Sequence, residues 1–212
     1  MVLRALWREL TDPGCGGRSH VLRTENLYFR TPIAWDLPAA QAAALDDDAQ
    51  YRLGWTTPGE ATPSGPARTR ALNTAPAVAT GHRRAHPTLP YGLVALTSRR
   101  DRYVGLVALK HDPGTCEVGG YLAPAFRGQG LGRELFGAGL RLAHEHLGTA
   151  TVTAECEIDN VAATRSLCSI GFVPSRDPEP RELPNGRVVI GCRFRRSTTA
   201  PTRCRASRSS TT

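Results

Sequence analysis

The stretch from Glu117 to Arg133, EVGGYLAPAFRGQGLGR, holds the residues of this chain best suited to chemistry. An apolar-alternating run ends at Leu122; a proline, an arginine and three glycines spaced by two follow it. After Gly132 the period changes. Leu131, Leu135, Phe136, Leu140, Leu142, Ala143 and Leu147 fall on one broad helical face. A strand, a tight glycine turn and a helix therefore succeed one another. Gly128, Gly130 and Gly132 leave the first-turn amides bare, and with the helix dipole behind them such amides seat an anion such as pyrophosphate. Arg127 and Arg133 add positive charge beside that seat. Two phosphate patterns do not fit. A nucleoside-triphosphate loop reads GxxxxGK followed by Ser or Thr, and no lysine follows these glycines. A dinucleotide fingerprint reads GxGxxG, whereas Gly128-Gln129-Gly130-Leu131-Gly132 is GxGxG. Glu155 does sit about where a ribose-binding acid is expected, but that fold needs further βαβ units. The chain beyond offers only a hairpin and a tail.

A third pattern, R/Q-x-x-G-x-G, fits as Arg127-Gly128-Gln129-Gly130-Leu131-Gly132. It resembles the acetyl-coenzyme A signature of the GNAT acetyltransferase superfamily. The segment from Asn160 to Phe172, NVAATRSLCSIGF, is similar to the second hallmark of that superfamily. There an asparagine opens a helix, and Gly-Phe closes it and starts the next strand. The run from Leu22 to Pro32, LRTENLYFRTP, resembles the opening of the branch that includes ribosomal-protein N-terminal acetyltransferases. The resemblance spans about Val21 to Phe194 and is weakest between Trp55 and Pro90. It implies an α/β (α+β) fold: a mixed, mostly antiparallel sheet flanked by helices, with a splay between its two central strands. It implies acetyl transfer from acetyl-CoA, as cosubstrate and without a metal, to a primary amine on a protein N-terminus or a small molecule. The implied coenzyme cradle comprises Leu122, Ala123, Arg127, Gly128, Gln129, Gly130, Leu131, Gly132 and Arg133. Asn160 and Thr164 of the following helix complete it. A regulatory module that binds an acyl-coenzyme A without turnover is the alternative.

Acyl transfer from a thioester to an amine needs the amine neutral, although an α-amine has a pKa near ~8 and a lysine near ~10.4. A carboxylate at the splay could take the proton, directly or through water. Glu155 lies five residues before Asn160, which matches a glutamate used as base in some family members. Glu117, at the start of the preceding strand, is the rival. Within Thr149–Glu157, Val152, Ala154 and Cys156 share one face while Glu155 and Glu157 share the other. Glu157 is expected nearer the strand end and solvent. Backbone amides near Leu122 would polarise the thioester carbonyl, as the resemblance implies. Two departures concern the acid. Many relatives carry a tyrosine seven residues after the asparagine, and here that position is Leu167. The ribosomal-type branch often has a serine three after it, and here it is Ala163. Water, Thr164, Tyr121 or no side chain at all remain as protonating groups.

The elements that must position these residues follow from the pattern. Leu22–Arg30 reads as a first strand, and Asp36 as the cap of a short helix running to about Leu45. Asp46, Asp47 and Asp48 read as a solvated helix end, with recognition of a cationic acceptor as the functional alternative. Residues 56–66 are a loop, and 67–84 a helix interrupted by Pro76 and Gly81. His82 and His86 lack the third donor that a zinc site needs. Tyr91–Ser98 and Tyr103–Lys110 form a hairpin, and Thr149–Glu157 the strand after the glycine helix. Asn160–Ile170 is a helix, and Phe172–Arg181 and Arg187–Arg195 pair around Asn185-Gly186. The divisions expected are an extension over 1–20, one domain over 21–195 and a disordered basic tail over 196–212.

Length and composition suit one globular domain with a substantial core. The formal net charge is +8, and six basic residues between Arg193 and Arg208 supply six of those charges, leaving +2 on residues 1–192. The body is therefore not strongly basic. The tail carries no aromatic residue to stack on bases, which argues against nucleic acid. Six cysteines show neither CxxC pairing nor metal spacing and read as reduced thiols of a cytoplasmic protein. The first ten residues are too short and too charged for a signal or a membrane span. A monomer or a homodimer is expected.

Overall fold

The computed structural model describes residues 20–33, 36–55, 90–100, 102–112 and 115–198. Most of the expected extension, the loop over 56–66, the helix over 67–84 with His82 and His86, and the tail beyond 198 lie outside the described residues. The elements in order are β1 (Val21–Arg23), β2 (Leu27–Arg30), α1 (Leu37–Ala44), α2 (Asp47–Leu53), β3 (Pro90–Thr97), β4 (Tyr103–Asp112) and β5 (Thr115–Leu122). There follow a short 3-10 turn (Pro124–Phe126), α3 (Leu131–Arg141), β6 (Thr151–Glu157), α4 (Val161–Ser169), β7 (Val173–Pro174), β8 (Glu179–Glu182) and β9 (Val188–Ser197). After Arg141, α3 ends in one wide turn that the Leu147 amide closes onto the Leu142 carbonyl at 3.1 Å.

All strands join one sheet in the order β1-β2-β3-β4-β5-β6-β9-β7, with β8 also pairing β9. Every pairing is antiparallel except β5 with β6, which the α3 crossover makes parallel. That one pair decides the shape of the molecule. Its register runs from Thr115↔Thr151 to Val118↔Ala154 and stops, although β5 continues to Leu122 and β6 to Glu157. The two central strands thus splay, as the fold inferred from the sequence requires.

The sheet is covered on both faces. One core packs Val107, Leu109, Val118, Val152 and Ala154 against Leu131, Leu135, Ala138 and Leu167 of α3 and α4. A smaller one packs Val94, Leu96, Leu106 and Tyr121 against Ala40, Ala43 and Ala44 of α1. Alternation along β6 follows the sequence pattern, with Val152, Ala154 and Cys156 turned to the α3 face. Among the described residues no helix is long and apolar enough to cross a membrane.

Four local readings are corrected. The expected strand Leu22–Arg30 is a hairpin, because Glu134 of α3 takes the Thr24 hydroxyl, the Asn26 amide at 3.1 Å and the Asn26 side chain at 2.7 Å. Phe172–Arg181 is not one strand either, and β7 and β8 are separated by a stretch that includes Pro178, which has no amide to give a ladder. The strand expected to stop at Arg195 runs on to Ser197, paired with Thr151. Asp36 precedes α1 as expected but does not cap it. Its carboxylate instead takes Arg30 in a fork at 2.5 and 2.6 Å and the Ile33 amide at 2.9 Å.

Gly139 lets α3 lie close on the sheet. A Cβ there would stand 2.7 Å from Cγ2 of Val107 and 2.9 Å from Cγ2 of Val118, both stiff and buried. Gly139→Ala should therefore lower stability by about 1–3 kcal/mol, as overpacking does, despite the better helix propensity of alanine. Urea unfolding checks this. An unchanged midpoint would mean that α3 can slide away from β4 and β5 without loss.

Candidate active site

The splay opens a cleft of about 720 Å³ that runs from the glycine turn to the ends of β6 and β8. Its walls hold Tyr121, Leu122, Arg127, Gly128, Gly130, Leu131 and Gly132 from β5 and the turn, with Glu155 and Asn160 opposite. Nine residues singled out from the sequence thus border one space. Glu117 does not. It lies in the paired part of β5, opposite Thr153, before the strands part.

The turn is built as its residue types require. Gly128 and Gly130 have φ of +72° and +77°, the left-handed region where a side chain is strained. A Cβ on either would meet nothing within 4 Å, so space above the turn is open. Gly130 is also the N-cap of α3 and offers no side chain to its first amides. Open space over uncapped amides at the positive end of an 11-residue helix fits a bound anion. Gly132 serves packing instead, since a Cβ there would collide with the Ser166 hydroxyl of α4. Gln129 folds back to the Ala125 carbonyl at 2.8 Å, and Arg133 is exposed on the first turn of α3.

The amide of Ala123 donates to the Val104 carbonyl at 2.8 Å, on the β4 side. Successive strand amides point to opposite edges, so the Leu122 amide faces the gap that β6 has left. Asn160 spends its side-chain oxygen on the Ala163 amide at 3.1 Å, which caps α4. Thr164 stands one turn on, 3.7 Å from the Cys156 sulfur, whose thiol burial pushes up. Tyr121 points to the α1 face, donates to the Ala40 carbonyl at 3.1 Å and meets the Tyr103 hydroxyl at 2.9 Å. Burial outweighs that contact and pushes its phenol up to about 12.

Both β6 carboxylates are compensated by guanidinium groups. Glu155 accepts from Arg193 at 3.2 Å and faces Nε of Arg181 at 3.6 Å, with its side chain 6% exposed. Glu157 takes Arg52 of α2 at 2.5 Å and also Arg187. The expectation that Glu157 lies nearer solvent is corrected: it is 5% exposed, because α2 and the β8–β9 turn close over the strand end. None of these arginine partners was singled out in the sequence. In a chain with one lysine and many arginines, nothing marks these four as counterions of buried carboxylates.

The acidic run is neither a bare helix end nor a free recognition patch. Asp46 caps α2 through the Asp48 and Ala49 amides at 3.1 and 3.3 Å and takes Arg127 in a fork at 2.9 and 2.7 Å. Burial opposes its charge, but these bonds together outweigh burial and hold the carboxyl below the usual range. Arg127, expected to lend charge to the anion seat, is held by Asp46, by Asp48 at 3.1 Å and by the Leu122 carbonyl at 3.0 Å. A carboxyl lowered in the folded state stabilises above its unfolded pKa, about 3.9, and that share vanishes as pH falls through the folded value. Acidification below about pH 4 should lower the unfolding temperature, and Asp46→Asn should flatten that slope. Glu134, also lowered, because its Thr24 and Asn26 bonds outweigh its burial, keeps the remainder. Identical acid slopes in the two proteins, followed by circular dichroism, would refute the assignment.

A family model described as an acetyltransferase (GNAT) domain matches residues 26–173. Comparison with curated protein sequences gives no match. The fold is similar to that of a GNAT-family acetyltransferase from Bacillus anthracis, with a TM-score of 0.64 and 15% identity over 84% of this chain and 98% of the other. A ribosomal-protein-alanine acetyltransferase from Vibrio fischeri gives 0.63 and 14%, over 86% and 98%. A spermidine N-acetyltransferase from Vibrio cholerae, solved with CoA and spermine, gives 0.62 and 18%, over 82% and 96%. At these identities the likeness is one of fold.

Proposed function

The chain belongs to the GNAT acetyltransferase family and is an acyltransferase, and we propose that it moves an acetyl group from acetyl-CoA to a primary amine. The observation that carries this reading is the open, uncapped glycine turn at the head of a cleft that continues into the splay. The coenzyme, when bound, supplies the acetyl thioester. The turn amides from Gly128 to Gly132 would hold its pyrophosphate. The Leu122 amide, turned into the gap, would stabilise charge developing on a carbonyl oxygen there. Glu155 would accept a proton from the acceptor amine, directly or through water. Its two guanidinium contacts fix the carboxylate without exhausting it, since an ionised carboxylate offers about four acceptor sites. Glu117, outside the cleft, is the less favoured base. With Leu167 buried in the core at the usual tyrosine position, the leaving thiolate would take its proton from water or leave unprotonated.

The acceptor is a protein N-terminus or a small-molecule amine.

Thiol release against a panel of peptides with free N-termini, aminoglycoside-like amines and spermine tests the reading. Acetyl-CoA binding with no release from any acceptor would turn it into a coenzyme-binding module. Gly130→Val should abolish acetyl-CoA binding by calorimetry while keeping the fold. A valine at φ +77° is strained, and its side chain would stand in the space above the amides. Wild-type affinity in that variant would sink the turn as the cradle. Glu155→Gln should cut turnover by about 10²-fold with coenzyme affinity little changed, and Glu117→Gln much less. In the Gln variant the rate should climb with pH toward the free amine's own pKa, near ~8 for an α-amine. Wild-type turnover at neutral pH would remove Glu155 from the mechanism.

A further inference from the structure

We propose that Asp46 is a positioning residue for the coenzyme turn, acting through Arg127; this rests on the reading that the glycine turn seats acetyl-CoA. The outer side of the turn is open. No heavy atom lies within 4 Å of where a Cβ would stand on Gly128 or Gly130, and Gln129 bonds only back into the preceding turn. Its far end is set where Gly132 meets Ser166 of α4, and its β5 end by the residue that enters it, Arg127. That side chain makes four contacts: Nε on the Leu122 carbonyl at 3.0 Å, the two terminal nitrogens on the two oxygens of Asp46 at 2.9 and 2.7 Å, and one of them also on Asp48 at 3.1 Å. A planar fork of this kind defines direction as well as distance.

Asp46 is itself fixed. One of its oxygens caps α2, and α2 is pinned at its other end by Arg52, which holds Glu157 at 2.5 Å and also Asp159. The short helix therefore spans the mouth of the splay. One end is tied to the turn that follows β5, the other to the last residue of β6. Arg127 serves as a mechanical link in this arrangement and does not donate its charge to the phosphate. Asp46 lies 81 residues from it in the chain. Losing the fork frees the β5 end of the turn, and coenzyme affinity falls because the amides must then be ordered at the moment of binding.

Calorimetry with acetyl-CoA on the full chain tests this in wild type, Asp46→Asn, Arg127→Gln, the double variant and Arg127→Lys. Asparagine keeps the capping oxygen and removes the charge. Asp46→Asn and Arg127→Gln should each weaken binding by about 3–10-fold, and the double variant should be no weaker than Arg127→Gln alone. Arg127→Lys should resemble Arg127→Gln, since lysine keeps the charge but cannot make the fork. A lysine that restores wild-type affinity, or effects that add in the double variant, would show Arg127 acting on the coenzyme by its charge and overturn the proposal. So would variants whose unfolding midpoint falls while the dissociation constant of the folded protein stays at wild type, the pattern of a purely structural pair. If wild type binds no acetyl-CoA, the coenzyme reading fails and takes this proposal with it. If wild type binds and Asp46→Asn binds equally well, this proposal alone fails.

Discussion

Everything distinctive in this molecule depends on two strands that stop pairing. β5 and β6 exchange hydrogen bonds as far as Val118 and Ala154 and then diverge, although both remain extended for three or four residues more. Backbone groups that leave a ladder must find other partners or water. The Leu122 carbonyl finds Arg127, and β6 keeps β9 on its other edge down to Glu157. In the gap between them the strand edges face a cavity large enough for a ligand. The glycine turn, the helix it opens and the short helix α2 are all arranged around that gap.

Keeping such a gap open has an electrostatic side. Two carboxylates of β6 project from the α1–α2 face with side chains almost out of solvent, which is tolerable only with counterions close by. Arg52 and Arg187 serve Glu157, and Arg181 and Arg193 serve Glu155. These arginines come from α2, β8, β9 and the turn between β8 and β9. The same contacts that compensate charge thus bind the peripheral elements to the end of β6. Arginine suits this task better than lysine, since its planar group can serve a carboxylate and a backbone carbonyl together, as Arg187 does with Glu157 and Tyr51.

What the sequence disclosed and what it withheld divide along a physical line. The period change at Leu131, the alternation in Thr151–Glu157, the asparagine cap at Asn160 and the turn at Gly186 are local, and each stands where its residues place it. The sheet with its splay was legible only through the resemblance that the glycine and asparagine motifs bear to those of the GNAT family. Contacts made over long separations were not. Asp46 with Arg127, Arg52 with Glu157 and Glu134 with Asn26 each join residues about a hundred positions apart, and no periodicity encodes such a meeting. The misread hairpin at Thr24–Asn26 has the same origin. The Thr24 amide closes the turn on the Leu27 carbonyl at 3.0 Å, and a carboxylate on a distant helix holds it there.

The three glycines of the motif show how one residue type can answer two different constraints. At Gly128 and Gly130 the backbone is left-handed and the space beside it open, so glycine is needed for conformation. At Gly132 the backbone is helical and the Ser166 hydroxyl of α4 leaves no room, so glycine is needed for contact. The first two leave the outer side of the turn open. The third draws α4 against α3, close enough that Asn160 and Thr164 at the head of α4 border or adjoin the cleft. A turn that is free on its outer side and fixed at both ends can present its amides to a ligand without folding over them. Its fixed ends are Arg127 on one side and the tight α3–α4 contact on the other, and the open stretch between them is only as well placed as those two anchors.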